Sequence, residues 1–131
     1  MRQITFALAA LAAALTASPA VALLPPQAYA DARANAPNVI VIDVAAVEFT
    51  SAMSCTVRGS VSTVERGEKY EAGGEVELVV PCRGHVMTPV MTGAVIFQNS
   101  ETLQASTRGR AYLDENGALA RYQYEILPAA E

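Results

Sequence analysis

Two alternating stretches, each carrying one cysteine, constrain this chain more than any other feature. Residues 55–64 read CTVRGSVSTV. Cys55, Val57, Gly59, Val61 and Thr63 share one parity, and Thr56, Arg58, Ser60 and Ser62 share the other, which is the period of a half-buried strand. Residues 75–82 read EVELVVPC, with Val76, Leu78, Val80 and Cys82 on one parity and Glu75 and Glu77 on the other. The polar stretch 65–74 between them is a turn region. If Cys55 faces Cys82 in a hairpin, Val57 faces Val80, Gly59 faces Leu78 and Val61 faces Val76. Every apolar residue then lands on one side, an agreement that a one-residue slip destroys. Core-facing neighbours on antiparallel strands lie within disulfide range. The spacing therefore predicts a Cys55–Cys82 bridge. Closing a loop of that length is worth about 3.6 kcal/mol in chain entropy.

The rest of the chain is also strand-like. Residues 38–49 (NVIVIDVAAVEF) are β-branched and aromatic, without a helical stripe. Ile40, Ile42 and Val44 share one parity and Val47 and Phe49 the other, so a bulge or bend is expected at Ala45-Ala46. Near the C-terminus, Asn116-Gly117 marks a two-residue hairpin turn. That turn pairs Leu113 with Ala120, Ala111 with Tyr122 and Gly109 with Tyr124, and points Ala120, Tyr122, Tyr124 and Ile126 inward. Between the hairpins, residues 90–97 are β-leaning but divided by Gly93, and residues 100–106 fit either a helical turn or the start of a strand.

A three-strand meander, a variable segment and a closing hairpin form the order of an OB barrel, in which an insert sits between the third and fourth strands. The expected fold is all-β, a small five- to six-stranded OB-like barrel. A small β-sandwich is the alternative if 90–97 is a strand.

The N-terminus reads as an address. Arg2 precedes an uncharged, Ala- and Leu-rich run, Pro19 breaks it, and Ala20-Val21-Ala22 supplies small residues at −3 and −1. This is the layout of a secretory signal peptide, residues 1–22. Ala28-Tyr29-Ala30 offers an alternative end at residue 30. Neither site is followed by Cys, so no lipoprotein is indicated, and the run is too short and Ala-rich for a stable membrane span. Removing Arg2 moves the formal charge from −4 to −5. The expected destination is the bacterial periplasm or the exterior, which permits a disulfide. Residues 23–37 read as a flexible N-terminal arm and 38–128 as a single β domain.

Composition then excludes functions. An acidic chain does not suit nucleic acid. There is no phosphate-cradling Gly motif and no nucleophile elbow. The lone His85 neighbours a cysteine expected to be oxidised, so no Cys-His pair forms. Glu75 and Glu77 share a strand face, as solvated acids commonly do. No catalytic residue is assigned. His85, Met87 and Met91 (HVMTPVM), with Met53 brought near by the disulfide, form the soft donor set that selects Cu(I) or Ag(I). In compartment, size and donor type this is similar to the small periplasmic copper chaperones with an OB barrel, although those cap their metal with a Trp and this chain has none. Arg110 and Arg121 point outward in the last hairpin and are candidates for binding an acidic partner. The leading expectation is a non-enzymatic exported binding module of the cell envelope, without a cofactor and with an unidentified protein or envelope ligand. The alternative is a periplasmic soft-metal protein.

Overall fold

A computed structural model describes residues 24–84, 90–92 and 95–130. The expected leader, residues 1–22, lies outside the described residues. The fold is all-β, with six strands in a nearly closed barrel, two short helices and one disulfide. The elements run α1 (Pro26–Asn35), β1 (Asn38–Ser51), β2 (Ser54–Arg66), β3 (Glu75–Arg83), β4 (Val90–Thr92), β5 (Val95–Asn99), α2 (Ser100–Ala105), β6 (Arg108–Leu113) and β7 (Leu119–Leu127). The sheet order is β4-β5-β3-β2-β1-β6-β7, and β4 adds only a short edge.

The meander β1–β2–β3 is antiparallel throughout. Its core face carries Ile40, Ile42, Val57, Val61, Leu78 and Val80, all buried. The expected bulge is present. Val44 pairs with Gly59 and Ala46 with Arg58, leaving Ala45 without a partner. The extra residue returns Val47 to the core face, opposite Val57, which explains the parity change in the sequence. Gly59 is fixed by the same feature, because a Cβ there would collide with the Asp43 carbonyl oxygen.

The disulfide is formed, with Cα atoms 5.7 Å apart and both cysteines fully buried. The expected hairpin register is corrected by two residues. Cys55 lies opposite Val80, Val57 opposite Leu78 and Gly59 opposite Val76. A two-residue offset preserves the side on which every residue falls, so the alternation alone does not resolve it. The bridge therefore runs diagonally, and Cys82 N donates to Met53 O at 3.3 Å.

Residues 90–92 and 95–99 are indeed strands, yet they build no second sheet. β5 joins β3 in parallel, Cys82 opposite Gln98 and Arg83 opposite Asn99. The chain then enters α2, where the Asn99 side chain accepts from Thr102 N at 2.8 Å as an N-cap. α2 buries Leu103 in the barrel interior. A seam remains between β5 and β7. Among the described residues the hydrogen bond that crosses it is Gln98 Nε2 to Tyr124 O, 3.0 Å.

The segment expected to be a loose arm is helical and packed. Pro26 starts α1 at a position where its missing N–H costs nothing. Tyr29 and Ala36 are buried. Arg66 Nη1 donates to Arg33 O (2.9 Å) and Ala36 O (2.8 Å), supplying donors to carbonyls at the helix end.

The last hairpin also departs from expectation. Its loop is longer than two residues: Asp114 N bonds Ala118 O, Gly117 closes the turn at φ 84°, and Asp114 Oδ1 accepts from Asn116 N and Ala118 N. Leu113 consequently faces Leu119 and Ala111 faces Tyr124. The surplus β7 residues form a bulge, in which Arg121 (φ 44°) and Tyr122 (φ 61°) are left-handed. Tyr122 is thereby exposed rather than inward, while Gln123 and Tyr124 are both buried.

Candidate functional site

One concavity lies on the outer face of the meander. Ala45, Arg58, Gly59, Ser60, Glu75, Val76 and Glu77 line an open groove of about 560 Å³. Sequence explains its shape. The bulge at Ala45 bends β1, and Gly59 contributes no side chain beside it. Arg58 is held across the strands by Glu48 Oε1 at 3.0 Å and Glu77 Oε2 at 3.2 Å. All three side chains are about half exposed, so the pairs fix geometry more than they stabilise the fold. Glu75 and Glu77 are exposed on one face of β3.

A second polar cluster surrounds the end of α1. Arg110 binds Glu65, and its Nη1 meets Glu125 Oε2 at 3.0 Å. The hydrogen bond to Glu65 is the main cause holding the Arg110 guanidinium well above its usual range, with Glu125 assisting against partial burial. Tyr112 Oη donates to Glu125 Oε1 at 2.7 Å, and burial first, then this bond, push the phenol up. Val39, Glu65, Arg66, Arg110 and Tyr112 border a smaller groove of about 290 Å³. Arg33 Nη1 donates to Gln123 Oε1 at 2.6 Å and so ties α1 to the β7 bulge.

The two expected arginine candidates therefore separate. Arg110 is engaged by its own glutamates, which makes it a brace between β2, β6 and β7. Arg121 is exposed on the bulge and makes no ion pair among the described residues. Of the soft-donor set, His85 and Met87 lie outside the described residues, and Met91 is placed in β4 by its backbone alone. Met53 is half exposed beside the disulfide. Among the described residues no three His, Cys, Asp or Glu side chains converge as metal ligands. No described helix is long and apolar enough to cross a membrane.

Arg33, Arg66 and Gln123 escaped the sequence reading. Arg33 and Gln123 matter only because the bulge turns Gln123 inward, and no residue in ARYQY announces left-handed backbone. Pro25-Pro26 was the signal available for α1. Comparison with protein-family models, curated proteins and solved structures found no match.

Proposed function

We propose that this chain is a non-enzymatic binding module of the bacterial cell envelope, exported through its N-terminal leader, and that the groove on β1–β3 takes its ligand. The groove carries this reading. It lies on the second and third strands of the meander, the face on which OB-like barrels hold oligonucleotides and oligosaccharides. Its polar groups are Ser60, Glu75, Glu77 and Arg58, and the last is already engaged by two carboxylates. Carboxylates that outnumber cations repel a phosphate backbone and accept hydrogen bonds from hydroxyls. A saccharide of an envelope polymer suits that lining. Titration of soluble peptidoglycan saccharides into the ¹⁵N-labelled protein is expected to shift the amides of 58–60 and 75–77, and Glu75→Gln and Arg58→Ala are expected to weaken the effect. Saccharides that leave those signals unmoved would remove this ligand class.

Soft-metal carriage through His85, Met87, Met91 and Met53 is the second reading. One observation favours it: the bond from Cys82 N to Met53 O holds Met53 opposite the end of β3 that leads toward His85. Cu(I) bound there would be carried rather than used in catalysis. Titration with Cu(I) under anaerobic conditions is expected to shift the Met53 methyl signal, and an unshifted signal rejects the reading.

A further inference from the structure

The β7 bulge holds two residues with side chains in left-handed backbone. Arg121 and Tyr122 are the non-glycine residues with positive φ among the described residues, and they are consecutive. Left-handed backbone is costly for a side chain as bulky as tyrosine, whereas glycine adopts it freely. The bulge is held open from inside. Gln123 Nε2 donates to Arg121 O at 3.0 Å, while Gln123 Oε1 accepts from Arg33. The outcome is that Arg121 and Tyr122 both stand outside the barrel. Tyr122 is 38 % exposed and belongs to no core cluster. Arg121 has no acidic partner among the described residues, whereas Arg58 and Arg110 are each engaged by two glutamates.

The charge around the bulge is also distinctive. Although the chain is acidic overall, the α1–β6–β7 side gathers Arg33, Arg66, Arg108, Arg110 and Arg121 against Asp31, Glu65 and Glu125. Strain that persists at an exposed site points to use of that site. Tyrosine and arginine are the side chains that dominate interface energetics.

We propose that the Arg121–Tyr122 bulge is a docking site for an acidic segment of a partner protein. A carboxylate of the segment accepts from the Arg121 guanidinium, and an adjacent aliphatic side chain lies on the Tyr122 ring. This surface does not depend on what the β1–β3 groove binds.

The test uses the purified, disulfide-bonded protein, ¹⁵N-labelled, and a glutamate-rich peptide carrying two leucines, with a lysine-for-glutamate peptide as control. The acidic peptide is expected to shift the amides of 120–124, and the control to shift none. Arg121→Gln and Tyr122→Ala are each expected to weaken binding about tenfold or more. Tyr122→Gly separates docking from structure. It removes the ring and relieves the positive φ, so binding falls while Tm holds or rises. A fall in Tm would show that the ring serves packing and would overturn the proposal. Equal binding of the lysine peptide, shifts confined to other residues, or no binding would overturn it as well. Concentration-dependent shifts of 120–124 without any peptide would assign the surface to a second copy of this chain instead.

Discussion

Tyr124 packs its ring over Gly109, where a Cβ would meet the ring and hydroxyl directly. The space that glycine leaves admits the aromatic, but not a partner for its hydroxyl. Among the described residues, Tyr124 Oη is a buried side-chain atom without a hydrogen bond. Leaving such a group unsatisfied costs about 1–3 kcal/mol. Tyr124→Phe keeps the ring and removes that cost, so chemical denaturation is expected to give a variant as stable as the parent or about 1 kcal/mol more stable. Burial also pushes the phenol from 10.0 up to about 12. Between those values the folded state holds a proton that the unfolded state has released. Stability from this group is therefore intact below pH 10 and is lost as pH rises through 12, by about 2–3 kcal/mol in all. Denaturation midpoints followed from pH 8 to 12 should fall on the alkaline side, and Tyr124→Phe should flatten that fall. An equally steep fall in the variant would place the titration on Tyr70 or Tyr112, whose phenols are also raised.

α1 is held on the barrel by burial and by side-chain hydrogen bonds. Tyr29 is buried, while Arg66 and Arg33 make the hydrogen bonds that tie the helix to β2 and β7. Arg66→Ala is expected to cost about 1–2 kcal/mol and to speed amide exchange in 26–35 more than in β1. Uniform acceleration across both would mean that the helix and barrel open as one unit. The strands were legible in the sequence because alternation at Cys55–Thr63 and Val76–Cys82 records which side faces the core. Even the bulge at Ala45 showed as a change of parity. Register was not legible, because pairings that differ by two residues bury the same set. The β7 bulge was hidden for a related reason. Tyr122 and Tyr124 both read as inward by parity, and the contact that tells them apart, Gln123 with Arg33, joins residues 90 positions apart. The groove was legible only in its residues. Glu75, Glu77 and Arg58 were visible as an outer face, but their convergence on one concavity needed the bend in β1.

For the whole molecule the disulfide is the main covalent constraint. Cys55 and Cys82 are both fully buried and join the β1–β2 turn region to the end of β3. Replacing both by alanine is expected to lower stability by about 2–4 kcal/mol. In the native state, reductant should attack only through unfolding, so the reduction rate should follow the unfolding rate as denaturant is added. Rapid reduction without denaturant would contradict the buried placement. The seam between β5 and β7 sets a different limit. The backbone ladders form a continuous ribbon from β4 to β7, and its two sides are held together by the apolar core they share and by the Gln98 amide resting on Tyr124 O. Such a ribbon can uncurl without breaking one ladder bond. The molecule thus has a preferred first motion, and native-state hydrogen exchange should resolve two classes of amide: those bordering the seam, released by uncurling, and those in β1 and β2, released only when the ribbon itself comes apart.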